Sequence, residues 1–386
     1  MPILPPQRDR FDLPRDLCYL NAAYMTPFPT AFSRIAEQAL AGHLRPWEVT
    51  PADFFSTSER VRSLAARILD SAADAVALVP AVSYAVATAA RNLPLARGEI
   101  ILTLAEEFPS NYYGWQCLAA EREAAVVLLD GPPERDWTAA LLEAIECHGE
   151  RIGLVAIPHV HWSSGVVLDL GAIRAATREV GAALFLDLTQ SLGALPVSMR
   201  EIDPDFAVAA GYKWLFGPYA LGYLHVAARW RNGRPLEENW IARAGSEDFS
   251  RLVHYADDYQ PGARRFDMGE RSNFLLMPFA EAGLGLVLEW GVEAIARSLA
   301  TLNSRLIAML EGAGFIATPA ARRSPHLIAV RHPEIPAQAI ARHWHDAGIR
   351  VSVRGSWIRI APHLWVDAAD EDRFGAAVAA LEQMDS

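Results

Sequence analysis

Cysteine is scarce: Cys18, Cys117 and Cys147 are the only three in 386 residues. Their wide spacing excludes a disulfide framework and a zinc-binding pattern, and it suits a reducing compartment. Runs of basic residues are absent. The net charge is -11, with acidic and basic side chains interspersed, so nucleic-acid binding is not expected and the charge mainly implies solubility. No uncharged apolar run reaches transmembrane length, so no membrane association is expected. Met1 to Asp16 is rich in proline and charge and has no apolar core of a signal peptide. Internal repeats and low-complexity tracts are also missing. These absences leave a cytoplasmic globular protein as the expectation.

The composition is 52% hydrophobic and 21% charged, enough to bury a large core, and the length suits about two domains. Residues 1–16 read as an irregular arm, followed by a short strand and turn over Cys18 to Tyr24. Pro29–Leu44 and Ala52–Leu69 carry helical periodicity, with Phe54, Val61, Leu64, Ala65 and Ile68 on one face of the second. Apolar runs then recur at Ala75–Val79, Ile100–Leu104, Ala125–Leu129, Ile152–Ile157, Ala182–Leu186, Phe206–Ala210 and Leu221–Val226. Helical stretches separate most of the early ones: Tyr84–Asn92, Ser110–Arg122, Thr138–His148 and Leu170–Val180. Short continuous apolar strands between helices predict an α/β fold with a mostly parallel seven-stranded sheet covered on both faces. In such sheets ligands sit beyond the carboxyl ends of the strands. After Val226 the rhythm breaks into an irregular excursion over Arg229–Arg265. A long helical stretch from Met277, broken near Gly291, leads into a smaller α+β region with strands at His326–Arg331, Arg350–Val353 and Trp357–Ile360. A helix over Pro336–Ala347 lies among them, and one over Ala369–Gln383 closes the chain. The expected domains are residues 17–260 and 261–386, with 1–16 as the arm.

Two stretches at the expected carboxyl edge carry chemistry. Phe185-Leu186-Asp187-Leu188-Thr189-Gln190-Ser191 ends an apolar run in a carboxylate. Gly211-Tyr212-Lys213-Trp214-Leu215-Phe216-Gly217-Pro218 sets a lysine between glycines and aromatic residues. Desolvating an ammonium is costly, so such a lysine needs a task. One task fits both stretches. Pyridoxal phosphate (PLP) forms a Schiff base with a lysine, and a carboxylate keeps its pyridine nitrogen protonated so the ring acts as an electron sink. Lys213 and Asp187 are the candidates for those roles. The plainer reading is a strand-end aspartate and a loop lysine, both solvated.

The motifs Asp187-x-x-Gln190-Ser191-x-Gly193, Gly211-Tyr212-Lys213-Trp214 and Arg264-Arg265-Phe266-Asp267-x-Gly269 resemble those of the class V aminotransferase-like PLP enzymes of fold type I. That family includes cysteine desulfurases, kynureninases and isopenicillin N epimerase-like proteins. The resemblance runs from about Tyr19 to Phe374, and it implies a homodimer with the active site at the subunit interface.

Residue by residue, the resemblance implies the following roles. Val82 and Ser83 lie at a strand-to-helix turn, where free N–H groups suit a phosphate dianion; Ser83 as a plain N-cap is compatible with that. Tyr212 matches a phosphate-contacting position. Phe108, within Glu106-Glu107-Phe108-Pro109-Ser110-Asn111, would stack on the pyridine face where desulfurases usually carry a histidine. Gln190 matches the residue that hydrogen-bonds the 3'-oxygen. His161 stands where the family commonly has an asparagine, so its role is left open between the ring edge, the substrate and proton transfer. His159 and His161 would share a face if extended, but no third ligand is evident and no metal site is expected. Arg359, and after it Arg354, match the segment that binds the substrate carboxylate through the planar fork of arginine. Asn21 lies in a segment lining the substrate side. Where the family often has Gly-Thr, this chain has Gly269-Glu270-Arg271-Ser272-Asn273, so Ser272 or Asn273 would supply the phosphate contact from the other subunit.

The expected activity is PLP-dependent chemistry at Cα or Cβ of an amino acid, of lyase or aminotransferase type. Alternatives are kynureninase-like hydrolysis and epimerase-like racemisation. A non-catalytic PLP-fold protein is the competing class. A persulfide-forming desulfurase is not expected, because Val353-Arg354-Gly355-Ser356-Trp357 holds no cysteine. Cys117 and Cys147 fall in expected helices as buried structural thiols, and Cys18 is the one cysteine expected near the site.

Overall fold

The computed structural model describes residues 3–131 and 136–383, so Met1 and Pro2 of the arm and residues 384–386 of the last segment lie outside the described residues. In chain order the strands are β1 Cys18–Tyr19, β2 Val76–Val79, β3 Ile100–Leu104, β4 Ala125–Leu129, β5 Ile152–Pro158, β6 Ala183–Asp187, β7 Phe206–Ala210, β8 Gly222–Val226, β9 Ile316–Ala317, β10 Ile328–Arg331, β11 Ile349–Arg350, β12 Ser352–Arg354 and β13 Trp357–Ile360. The helices are α1 Phe32–His43, α2 Asp53–Ile68, α3 Val82–Asn92, α4 Tyr113–Arg122, α5 Trp137–His148, α6 Leu170–Glu179, α7 Met199–Ile202, α8 Met277–Trp290, α9 Val292–Gly312, α10 Ala337–Asp346 and α11 Ala368–Ala379.

Seven strands form one sheet in the order β2-β8-β7-β6-β5-β3-β4. Strands β3 to β7 pair in parallel, and β8 runs antiparallel to both β7 and β2. Alternation along each strand feeds two separate cores. Leu184 and Leu186 of β6 and Ala207 and Ala209 of β7 enter the core that α2, α5, α6 and α8 cover. Phe185, Phe206, Val208 and Ala210 point the other way, into the core under α3 and α4. Burying each such large side chain stabilises the fold by about 1.5–3 kcal/mol, and two covered faces explain why the strands read as continuous apolar runs.

A second sheet has the order β12-β13-β10-β9, and β1 pairs in parallel with β11 to tie the N-terminal segment to it. The arm is irregular apart from one turn at Arg8–Arg10. It is nonetheless docked: buried Arg8 pairs with Asp370 of α11 and donates to Pro14 O at 2.8 Å. The excursion after β8 holds only short 3-10 turns, the last over Gly262–Phe266. There Asp267 is buried between Arg62 of α2 and Arg271, and Leu78 N donates to it at 2.7 Å. The Arg-Phe-Asp motif thus clamps α2 and β2 together. Helix α8, beyond the expected boundary at 260/261, packs on α1 and α2.

Candidate active site

The parallel register sets Asp187 at the carboxyl end of β6, opposite Pro158 of β5 and Val208 of β7. One strand over, β7 runs straight into Gly211-Tyr212-Lys213. The lysine loop closes tightly: Gly211 N donates to Leu221 O at 2.8 Å and Gly217 N to Gly211 O at 2.9 Å. A Cβ on Gly217 would lie 3.0 Å from Gly211 O, so any side chain there would crowd the turn. Beneath the loop, α8 brings Gly283 so close that a Cβ would meet Leu215 O and Phe216 O at 2.6 Å. From the N-terminal side, Thr26 Oγ1 donates to Lys213 O at 2.7 Å. Lys213 is the only lysine in the chain; every other basic side chain is arginine.

Lys213 and Asp187 line one cavity with Val82, Phe108, Gln190 and Tyr212, all expected there, together with Glu107, Val160, Trp162 and Thr189. The Lys213 amine lies 5.6 Å from the Phe108 ring centre and 5.5 Å from that of Tyr212. Burial, helped by the charge of Arg359 and opposed by Asp187, pushes the amine down to about 8. Burial pushes the Asp187 carboxyl up, against the hydrogen bonds of Thr189 and the charge of Lys213. The Thr189 N–H donates to Asp187 Oδ1 at 2.8 Å. Glu107 is pushed up to about 8 by burial and by Asp187, although Phe108 N and Asn111 Nδ2 donate to it at 2.6 and 3.2 Å. Gln190 is fixed at both ends, donating to Ala23 O and accepting from Trp214 Nε1, each at 3.0 Å.

Helix α3 begins beside this cavity with Ala81 as its cap residue and no side chain capping its first turn. Ser83 is therefore not the N-cap; it is an exposed residue of the first turn, and Val82 faces inward. The uncapped N–H groups remain open to an anion.

Arg359 of β13 is 1% exposed, and its Nη1 donates to Trp162 O at 2.9 Å. Its buried Nε has no hydrogen-bond partner. Burial and the neighbouring Arg354 push it down to about 9. Asn21 accepts from Ser352 Oγ at 2.7 Å. The charge of Arg359 acts on Lys213, and its orphaned donor fits a carboxylate. A carboxylate, an amine and an uncapped helix start around one cavity likewise fit PLP.

Asn21, Ser83, Arg354 and Arg359 are not among the residues lining the cavity, nor are His161, Ser272 and Asn273, the last two being expected from the other subunit. His161 turns away from the cavity: its ring centre is 4.2 Å from that of Trp137, edge-on, and Nδ1 sits 3.0 Å from Ser164 Oγ. Past the end of β5, side chains alternate, so Val160 and Trp162 face the cavity and His161 the opposite side. Ser272 donates to Phe54 O at 2.8 Å, and Asn273 accepts from Leu276 N at 3.0 Å at the start of α8. Both lie outside the lining of the Lys213 cavity of their own chain. Two corrections concern cysteine. Cys117 and Cys147 are exposed, because their helices turn them outward. Cys18 is buried in β1, 3.7 Å from Asp370 O, and burial raises its thiol far above the usual range.

Glu107, Trp162 and Thr189 are the residues sequence reasoning passed over. Glu107 and Trp162 each adjoin a singled-out residue in a polar-aromatic motif, and Thr189 follows Asp187 by two positions.

Known proteins share this fold. An uncharacterised aminotransferase, YcbU, of Bacillus subtilis (strain 168) is 26% identical over 80% of this chain and 79% of its own. A kynureninase of Deinococcus radiodurans is 29% identical over 88% of this chain and 81% of its own. Among solved structures, a C-DES variant with glycine covalently linked to its PLP cofactor superposes with a TM-score of 0.85 at 18% identity, covering 97% of this chain and 99% of that one. The apo cysteine desulfurase of Thermococcus onnurineus NA1 gives 0.80 at 17% identity, covering 100% and 99%. A family model for aminotransferase class-V matches residues 45–365, and the chain belongs to that family.

Proposed function

We propose that this protein is a PLP-dependent enzyme acting at Cα or Cβ of an amino acid, with lyase or aminotransferase chemistry. The observation that carries the reading is the sole lysine and a buried carboxylate lining one cavity at the carboxyl edge of the sheet. When bound, PLP supplies an electron sink for the charge left at Cα. Asp187 would hold a proton on the pyridine nitrogen, and the Thr189 N–H that donates to it opposes the loss of its charge on burial. Phe108 would cover the ring, the second amide hydrogen of Gln190 would be free for the ring oxygen, and the start of α3 would hold the phosphate. Above about pH 8 the Lys213 amine is uncharged, so there it can take or return the α-proton. Arg359 orients the substrate by two parallel hydrogen bonds to its carboxylate. Cys18 is too deeply buried and too weakly acidic to act as a thiolate nucleophile, so no protein persulfide forms.

A visible absorbance spectrum of the purified protein tests this. Bound cofactor gives a band that shifts on adding substrate from a panel of amino acids, thioethers and kynurenine. Lys213→Ala should abolish the band's native position and all turnover. Full turnover in that variant would sink the assignment.

A further inference from the structure

The small sheet presents two guanidinium groups on one face with no negative charge between them. In the β12–β13 hairpin Ser352 lies opposite Arg359 and Arg354 opposite Trp357. Cross-strand partners share a face, as do alternate residues of a strand, so Arg354 and Arg359 are diagonal neighbours on the same side. Like charges placed this way repel. Other buried arginines are paired: Arg8 with Asp370, Arg62 and Arg271 with Asp267, and Arg174 with Asp205. Among the described residues neither Arg354 nor Arg359 forms an ion pair with a carboxylate. Both charges are felt at Lys213.

Trp162 holds the pair in place. Its carbonyl accepts from Arg359, and the Arg354 guanidinium lies 5.3 Å above its ring. Its edge meets Phe108 at 5.4 Å, and its Nε1 donates to Glu106 O at 2.6 Å. Arg354 spends Nη1 on Val353 O at 2.7 Å and is half-buried. An anion site oriented in advance binds more tightly, because less ordering is left for the ligand to impose. The α-carboxylate assigned above to Arg359 neutralises one of these charges and leaves Arg354 in excess.

We propose that Arg354 binds a second acidic group, on the side chain of the substrate, so that the enzyme selects acidic α-amino acids (carboxylate or sulfur oxyacid) over apolar ones. This rests on the reading that the cavity receives an amino acid by its carboxylate at Arg359. Two measurements on the cofactor-loaded enzyme, at matched ionic strength, test it separately from that reading. The first is the rise in melting temperature with succinate against propionate, which needs no chemistry. The second is the spectral titration with L-aspartate against L-alanine. Succinate should raise Tm more than propionate, and aspartate should half-saturate at about a tenfold lower concentration than alanine, the effect of one charge-assisted bond. Arg354→Met should bring both ratios to near unity. Arg354→Lys, which keeps the charge without the fork, should give intermediate ratios, which a merely structural role would not produce. Absence of the preference in the wild type, or its survival in both Arg354→Met and Arg354→Gln, would overturn the inference. If the succinate preference and its loss in the variants persist while no amino acid alters the spectrum, the second anion site stands and the enzymatic reading fails.

Discussion

An amine buried beside Arg359 loses its proton near pH 8, against 10.5 for an ordinary lysine. Below that point Lys213 is charged and unreactive; above it the nucleophile is fully formed. Acetic anhydride labelling of the cofactor-free protein, read by mass spectrometry on the Lys213 peptide, should therefore be half-maximal near pH 8 and level off about one pH unit above it. A rate still climbing through pH 10 would show an unperturbed lysine. Asp187→Asn should keep the fold, since the Thr189 N–H can donate to an amide oxygen, while kcat falls by about 10²-fold or more with the loss of a preorganised charge. Unchanged circular dichroism with near-wild-type kcat would refute the role. At this scale the sequence was partly legible. Lys213 and Asp187 were found because a lysine or carboxylate ending an apolar run is costly. His161 was read from its place in a motif, and alternation past β5, which the motif does not report, turns it towards Trp137 while Trp162 lines the cavity. Glu107 was hidden because its interaction with Asp187 spans separate strands.

Elements were easier to read than single residues. All seven large-sheet strands appear within about a residue of their apolar runs; burial on both faces leaves little room for polar residues in the inner ones, while β4, at the sheet edge, is apolar although part-exposed. Boundaries slipped where a turn continues the composition of its helix: Pro29–Thr30 precede α1, and Ala75 ends a 3-10 turn before β2. Helix α8 supplies a prediction that hydrophobic pattern alone could not make. Gly283→Ala should cost about 1–3 kcal/mol by forcing the helix off the lysine loop, and should lower activity with it. Gly285→Ala, two residues along and with nothing within 4 Å of its Cβ, should instead stabilise by about 0.5–1 kcal/mol through helix propensity. Urea unfolding compares the two; equal effects would mean that the close approach under Leu215 and Phe216 plays no part.

On the scale of the whole molecule, Leu40, Leu44 and Trp47 lie 56%, 69% and 78% exposed at the end of α1 and just beyond. That end of α1 and Ser272 border the same groove. Such a patch suits a subunit interface, and we propose that two chains meet there, each offering Ser272 or Asn273 to the other's phosphate. Light scattering should give about twice the 42.3 kDa chain mass. Trp47→Asp should shift the protein towards monomer and weaken cofactor retention together. A wild-type monomer at micromolar concentration would end this proposal. Contacts between subunits leave no periodic trace in one chain, which is why Ser272 and Asn273 could be reached only through a motif.

The solitary lysine has a bearing on how this protein meets aldehydes in general. With arginine at every other basic side-chain position, the surface offers no lysine amine on which a sugar or a stray carbonyl compound can condense. Only Lys213, buried beside Phe108 and Tyr212, and the α-amino group remain. Borohydride reduction in the presence of an aldehyde should then fix a lysine adduct at Lys213 alone, and reducing sugars should leave no glycated lysine elsewhere on the surface.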